Sequence, residues 1–275
     1  MVDMGDEAAI KKEIAAIRCF ALDMDGTFYL GGELLEGSLE FIRRVRETGR
    51  RFVFLTNNSS KSHGAYMQKL AGMGLKISPD ELVTSGGAAI AYLHANHPGK
   101  RVFLLGNPML TNEFREAGIN LNETDPELVV TAYDTSLDYR KLCKVCDYVR
   151  SGLPFLATHP DYNCPTETGF EPDIGAIHAF IEASTGRFPD RIIGKPYRDI
   201  MDFALSKCGC GPSETAMVGD RLYTDIALKK HVPGLCAILV LTGEASAGDI
   251  PGADIKPDMV FDKLGDIARY CVPQD

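Results

Sequence analysis

The sequence predicts an α/β fold in which a parallel-sheet core carries an inserted, smaller α/β domain. Short apolar runs alternate with amphipathic helical segments along most of the 275 residues, as in chained βαβ units. Four of those runs end in polar groups: Asp23 and Asp25, Thr56 and Asn57, Lys195, and Asp220 with Asp225. Right-handed crossovers would bring all four ends to one rim of a parallel sheet. Between the second and third of them the alternation restarts as a smaller unit. The expected division is therefore a core of 1–97 plus 189–275 and an inserted domain of 98–188.

The elements follow in order. A short amphipathic helix is expected over 8–17, where Ile10, Ile14 and Ile17 share one face. Residues 17–22 (Ile-Arg-Cys-Phe-Ala-Leu) read as a strand buried on both sides. Gly31-Gly32 between apolar flanks reads as the two-residue turn of a hairpin, a flap beside the acid pair. Ser38 is the expected cap of a helix through Arg46, with Phe41, Ile42 and Val45 turned inward. A second strand, 52–55, ends at Thr56-Asn57-Asn58-Ser59-Ser60, and a helix over 62–73 closes at Gly74. A strand at 81–84 precedes a helix through His94, with Ser85 as its cap.

In the inserted stretch, strands at 102–105, 129–132 and 155–157 alternate with helices near 109–118 and 137–150. Another helix fits 174–183. The strand 191–193 leads into Gly194-Lys195-Pro196, which puts Pro196 at a favoured first helical position. Ile200, Phe203, Ala204 and Cys208 then mark the core face of a helix. Strands at 216–218, 235–241 and 259–261 and a helix near 263–270 complete the chain, with Asp225 just ahead of a helix.

Charge and composition narrow the function. The net charge is −9, from 29 Lys+Arg against 38 Asp+Glu, and no long basic run appears. That leaves no electrostatic footprint for nucleic acid or an anionic membrane. No apolar stretch reaches membrane-spanning length, and residues 1–18 lack a signal-peptide core, so cytoplasmic residence is expected. Eight cysteines raise the question of zinc, because Cys143/Cys146 and Cys208/Cys210 are closely spaced. Neither pair has the strand-turn setting of a zinc knuckle. Cys19, Cys164, Cys236 and Cys271 are dispersed, and reduced, buried thiols are the expectation.

The chemistry concentrates in Asp23-Met24-Asp25-Gly26-Thr27. Two carboxylates two residues apart project to one side of an extended chain. Gly26 lets the backbone turn, and Thr27 offers a hydroxyl. Like charges about 4 Å apart repel by about 4 kcal/mol at an effective dielectric of about 20. The acids Asp23, Asp25, Asp220 and Asp225 therefore call for a cation, and all-oxygen ligation favours Mg²⁺. With Lys195, the Asn57 amide and the Thr56 hydroxyl added, the set is a receptor for a phosphoryl group shared with a metal. Asp23, held by its strand, is placed to attack phosphorus and form an aspartyl phosphate. Asp25, past the strand's end, is placed to protonate the leaving oxygen and then activate water.

Taken together, Asp-x-Asp-Gly-Thr after a strand, Leu55-Thr56-Asn57-Asn58-Ser59, Gly194-Lys195-Pro196, and Gly219-Asp220 with Thr224-Asp225 resemble the four motifs of haloacid-dehalogenase-like (HAD) phosphatases. Their order, and an insertion between the second and third, resemble the subfamily IIA, NagD-like or 4-nitrophenylphosphatase-like branch. The resemblance covers about 17–262. It implies a Rossmann-like core, an inserted type-IIA cap and hydrolysis of small phosphate monoesters such as sugar phosphates, nucleoside monophosphates or 4-nitrophenyl phosphate. Asp23 and Asp25 become nucleophile and acid/base, and Thr56 and Lys195 bind the transferring phosphoryl, with Asn57, Gly26 and Thr27 as further substrate contacts. Mg²⁺ would be held by Asp23, the Asp25 backbone carbonyl and Asp220, with Asp225 in support.

The stretches Ala157-Thr158-His159-Pro160-Asp161 and Pro165-Thr166-Glu167 resemble the family's substrate loop. His159, in that loop, is expected to contact the substrate, and the chain departs from the branch in having His159 where Asn is frequent and Asp173 where Gly is frequent. A homodimer through the cap is a further implication of the resemblance. Phosphotransfer or phosphomutation on the same core, and a non-catalytic phospho-acceptor or binding module, are the alternatives.

Overall fold

The computed structural model describes residues 6–166 and 169–272. Glu167, part of the stretch that resembles a substrate loop, lies outside the described residues. The chain groups into two units: Met1–Leu55, Met67–Val83 and Lys195–Asp275 form the first, and Thr56–Tyr66 with Thr84–Gly194 form the second. The second unit is thus larger than the 98–188 stretch read from the sequence, because 56–66, 84–97 and 189–194 pack with it.

The first unit begins with helix α1 (Glu7–Ala16), whose Ile10 and Ile14 are buried. Strand β1 (Cys19–Leu22) is buried at all four residues, as a run without polar alternation requires. Then come β2 (Tyr29–Leu30), β3 (Glu33–Leu34), α2 (Ser38–Glu47), β4 (Arg51–Thr56), α3 (His63–Gly72) and β5 (Leu82–Thr84). Strands β2 and β3 pair Tyr29 with Leu34 and Leu30 with Glu33, which leaves Gly31-Gly32 as the expected two-residue turn. Ser38 does not cap α2. Gly37 holds that position in the left-handed region, and the buried Ser38 hydroxyl donates to the Phe28 carbonyl at 2.8 Å. Phe20 meets Phe41 edge-on at 5.1 Å and Phe28 meets Phe54 at 4.8 Å, which locks α2 and the β1–β2 turn to the sheet.

The second unit continues with α4 (Ser85–Asn96), β6 (Val102–Leu105), α5 (Pro108–Glu116), β7 (Leu128–Thr131), α6 (Tyr139–Arg150) and β8 (Phe155–Ala157). Strands β9 (Asn163–Thr166) and β10 (Gly169–Pro172), helix α7 (Ile174–Thr185) and strand β11 (Arg191–Ile192) follow. Thr84, not Ser85, caps α4: its hydroxyl accepts from the Gly87 N–H at 3.0 Å. A four-stranded sheet runs β11-β8-β7-β6, and its core combines Val129, Phe155, Val145, Val149 and Ile181 from the sheet, α6 and α7. The β9–β10 ribbon is antiparallel and pairs only with itself. Its sequence carries Pro165 and no apolar alternation, so no strand signal marks it.

The first unit resumes with α8 (Arg198–Cys208), β12 (Thr215–Gly219), α9 (Leu228–His231), β13 (Cys236–Val240), β14 (Met259–Phe261) and α10 (Leu264–Ala268). Tyr197 precedes α8, so Pro196 is not its first residue, and Met201 rather than Phe203 joins the buried face of Ile200, Ala204 and Cys208. The six-stranded sheet runs β14-β13-β12-β1-β4-β5, with β1 parallel to both β12 and β4. All eight cysteines are free thiols; Cys143 is exposed, whereas Cys146 on the same helix is buried. Among the described residues, no helix is long and apolar enough to cross a membrane.

Candidate active site

The site grows from the carboxyl ends of β1 and β12, neighbours in the first unit's sheet. The Asp23 N–H still donates to the Val218 carbonyl of β12 at 2.9 Å, so this aspartate is held as a strand residue. After it the chain coils: the Met24 carbonyl accepts from the N–H groups of Phe28 at 2.9 Å and Tyr29 at 3.1 Å. Gly26 makes that turn at φ +85°, and a methyl at this position would lie 2.5 Å from Asp220 Oδ2. The Thr27 hydroxyl donates to Asp220 Oδ1 at 3.2 Å, and the Glu244 N–H donates to Asp220 Oδ2 at 2.8 Å.

Asp225 lies ahead of α9, as read, but inside a wide, π-helical turn, Leu222–Ile226, that runs into that helix, and its Oδ2 accepts the Arg221 N–H at 3.1 Å. That folds the carboxylate back toward β12. Gly219 makes room for it, since a methyl there would stand 2.3 Å from Asp225 Oδ2. Gly243, after β13, does the same for Asp220, with 2.0 Å to Oδ2. Three glycines therefore form a cradle that any side chain would fill.

Lys195 arrives by an unexpected route. The strand before it, β11, belongs to the second unit's sheet, so Lys195 is not the end of a core strand. Its side chain nevertheless reaches the acids: Nζ donates to Asp23 Oδ1, to Asp225 Oδ1 at 2.7 Å and to the Leu55 carbonyl at 3.2 Å. Those three acceptors match the three protons of an ammonium. Lys195 is 2% exposed and Asp225 0%, while Asp23 retains 9%. Asp23 is thus the acid with an open side.

Asp23, Asp220 and Asp225 each offer one oxygen within 4.8 Å of the others. Burial pushes the Asp23 carboxyl up to about 6, with Lys195 opposing and Asp220 adding to the rise. Burial and the neighbouring acid likewise push Asp220 up to about 6. Asp225 rises to about 6 through burial, against the pull of Lys195. Burial works against the Lys195 ammonium, but Asp225 and Asp23 outweigh it and hold its pKa above the ordinary lysine value. Arg221, which the sequence reading passed over, also adds positive charge beside all three acids. Its only sequence signal is adjacency to Asp220.

Burial, more than mutual repulsion, raises the three carboxyls, and one ammonium with one guanidinium does not balance the charge of three carboxylates. The spacing suits a small hard cation: at about 2.1 Å per ligand, opposite octahedral oxygens stand about 4.2 Å apart. Donor type, spacing and the glycine cradle all fit a divalent ion on oxygen ligands. The side chain of Asp25 is not among the three clustered acids. Its backbone bridges to Tyr29, and the residue is half-buried.

The other expected residues belong to the second unit. Thr56 ends β4, and its hydroxyl oxygen accepts the Asn58 N–H at 3.2 Å, which leaves the hydroxyl proton for another acceptor. Asn57 is buried, and its amide donates to Asp161 Oδ1 at 3.0 Å. His159 has no exposed surface. Its Nδ1 lies 2.9 Å from Thr158 Oγ1 and its Nε2 lies 3.0 Å from Asp173 Oδ1.

Two family models match the chain. Residues 20–120 match a model described as haloacid dehalogenase-like hydrolase, and 192–267 match one described as HAD-hydrolase-like. An acid sugar phosphatase of Staphylococcus aureus (strain MRSA252) is 36% identical over 250 residues, 90% of this chain and 96% of its own. Among solved structures, a 4-nitrophenylphosphatase from Thermotoga maritima is 46% identical with TM-score 0.90, covering 94% of this chain and 98% of that one. A glycerol phosphate phosphatase from Mycobacterium tuberculosis, solved in complex with magnesium, is 29% identical with TM-score 0.85, covering 94% and 78%. With two family models matched in order and relatives 36% and 46% identical along nine-tenths or more of its length, the chain belongs to the haloacid dehalogenase-like hydrolases.

Proposed function

We propose that the protein is a Mg²⁺-dependent phosphatase that hydrolyses small phosphate monoesters through an aspartyl phosphate. The observation that carries this reading is the meeting of Asp23, Asp220 and Asp225 with Lys195 at the carboxyl ends of β1 and β12. Asp23 is the nucleophile, because it alone of the three keeps an open side and has its other side fixed by Lys195. One carboxylate oxygen forms the bond to phosphorus as the ester P–O bond breaks. Asp25 gives its proton to the departing alkoxide, then takes one from the water that attacks the acyl phosphate. Phosphate leaves and the Asp23 carboxylate is restored.

Asp23, Asp220, Asp225 and the Asp25 carbonyl would hold Mg²⁺, whose chemistry is to neutralise charge on the phosphoryl oxygens. Thr56 and Lys195 bind that phosphoryl group, and Asn57, Gly26 and Thr27 line its place. The second unit, built around the inserted stretch 98–188, serves as the cap that selects the ester. The match of Ala157-Thr158-His159-Pro160-Asp161 to the family's substrate loop supports that division. His159, buried on both ring nitrogens, would act there as a support for the loop. The net charge of −9 supports small metabolites as substrates rather than nucleic acid or membrane partners; cytoplasmic residence is the reading of residues 1–18, and a dimer through the cap rests on the family resemblance.

The test is phosphate release from 4-nitrophenyl phosphate and from a panel of sugar phosphates, nucleoside monophosphates and glycerol phosphate. Turnover should require Mg²⁺, stop on chelation and be lost to background in Asp23→Asn. Undiminished turnover in that variant would sink the mechanism. Product analysis with an added acceptor alcohol separates hydrolysis from phosphotransfer.

A further inference from the structure

Within the second unit, the loop after β4 is bound to the β8–α7 connection by buried polar contacts. The Asn57 amide donates to Asp161 Oδ1 at 3.0 Å. Ser85 Oγ donates to the Asn57 carbonyl, and the Asn58 amide approaches Cys164 Sγ at 3.6 Å. Ser59 Oγ takes the Tyr133 N–H at 2.9 Å and the Thr158 hydroxyl at 3.3 Å. Asn58 Oδ1 also takes the Ser60 N–H at 2.9 Å, which fixes the turn of the loop itself. None of this joins two secondary-structure elements of one sheet, so backbone regularity does not explain it. The Asn57, Asn58 and Thr158 side chains supply these ties between the two segments.

Asp161 is itself held on all sides. Its carbonyl accepts the Gly175 N–H at 2.8 Å, and the Asp173 N–H donates to the Tyr162 carbonyl at 2.9 Å. One residue earlier, Pro160 and Asp161 lie so close to α7 that a methyl on Gly175 would stand 2.3 Å from the Pro160 carbonyl and 2.7 Å from that of Asp161. On the other flank, the His159–Asp173 contact at 3.0 Å closes the segment's base. Gly194 seals the arrangement, since a methyl there would press on Asn57 Oδ1 at 2.6 Å and on the Thr158 carbonyl at 2.7 Å. A side-chain amide gripped by a carboxylate on one face and packed on the other has one orientation, and a charge-assisted bond is the stronger kind for setting it.

We infer that Asp161 is a positioning residue: its buried carboxylate orients the Asn57 amide beside Thr56, so that the phosphoryl-binding loop and the cap's substrate loop form one rigid body. This rests on the proposed reading of Thr56 and Asn57 as phosphoryl contacts. It assigns Asp161 a role on the group common to all substrates, not on the part that distinguishes one ester from another.

The experiment is steady-state kinetics of Asp161→Ala, Asp161→Asn, Asn57→Ala and the Asn57→Ala/Asp161→Ala double variant. Two esters with different leaving groups serve as probes, 4-nitrophenyl phosphate and the best sugar phosphate. Loss of a bond to a charged acceptor should lower kcat/KM of Asp161→Ala about tenfold or more, by the same factor for both esters. Asp161→Asn should recover most of it, because an amide oxygen still accepts from Asn57. The double variant should be no worse than Asn57→Ala alone. Unequal losses for the two esters, no recovery in Asp161→Asn, or additive losses in the double variant would each overturn the inference.

A full-strength Asn57→Ala enzyme would overturn it too, while wild-type phosphate release would keep the phosphatase reading intact. If Asp161→Ala is poorly folded by circular dichroism, Gly175→Ala provides the second variant. It presses on the Pro160 and Asp161 carbonyls, shifting the Asp161 backbone without removing any polar side chain, and should show the same equal loss on both esters.

Discussion

At the scale of single residues, the site depends on how one buried ammonium is shared. Lys195 holds Asp23 and Asp225 and caps the Leu55 carbonyl, so it serves structure and chemistry together. Removing one partner of a buried ion pair costs about 3–5 kcal/mol, because the charges left behind are uncompensated. Lys195→Met should therefore abolish phosphate release and also lower the urea midpoint, measured in chelator so that no metal compensates. An unchanged midpoint would show that the acids do not depend on the lysine. Thr27 acts more weakly. Thr27→Val loses one hydrogen bond to Asp220 and should cost about 1 kcal/mol of stability.

At the scale of elements, loops carry the precision that strands only begin. Residue 243, directly after the Thr242 hydroxyl that donates to the Gly26 carbonyl at 2.6 Å, must be glycine for Asp220 to reach its place. Gly243→Ala should reduce turnover about tenfold or more, as losses of metal-orienting contacts do, while far-UV circular dichroism stays native. Native-like activity would mean that the loop yields.

Helix α7 shows a different dependence. His178 is fully buried against β7, with Nε2 2.8 Å from Thr131 Oγ1, and it stacks edge-on with Phe155 and Phe188. Burial, helped by His159 and opposed by Asp173, pushes its pKa down to about 3. The unfolded chain binds this proton near pH 6.5 and the folded chain does not until about pH 3, so the unfolded state holds more protons between those values. The contribution is complete above pH 6.5 and falls as pH drops, by at most about 1.4 kcal/mol per pH unit. Calorimetry from pH 7 to 4.5 should show a falling Tm whose slope is reduced in His178→Gln. An identical slope in the variant would refute the assignment.

At the scale of the whole molecule, a divalent ion held as proposed by Asp23, Asp220 and Asp225 would couple its binding to folding. A ligand that binds only the folded state stabilises it by about 2.7 kcal/mol at a hundredfold excess over its Kd. Mg²⁺ should thus raise the Tm of the wild type, and Asp220→Asn should erase the shift, since Asp220 lies at the centre of the glycine cradle. Calcium and magnesium titrations followed by thermal melts test this without any substrate. A full Mg²⁺ shift in Asp220→Asn would place the ion elsewhere.

The α/β class, the parallel core and most elements were legible in the residues because buried strands and amphipathic helices impose their periods directly. The β2–β3 hairpin was legible because two glycines between apolar flanks permit little else. The motif acids were legible because each follows an apolar run, and a carboxylate there has few structural reasons to exist. The caps were less so: Ser38 and Ser85 are good capping residues, but tertiary acceptors, the carbonyls of Phe28 and Asn57, took their hydroxyls. The β9–β10 ribbon escaped because β10 is exposed along its length and so needs no hydrophobic pattern.

Local sequence singled out Asp23, Lys195, Asp220 and Asp225 from their own neighbours, and the fold brings those four side chains together. Only the tertiary structure decided that Lys195 comes off a strand of the other sheet and that Asp25 stands apart from the clustered acids. It alone bound Asn57 to Asp161 across about a hundred residues, |i−j| = 104. The reason is physical: periodicity and propensity act within a few residues, whereas a buried polar contact is chosen by whichever acceptor the folded chain brings within 3 Å.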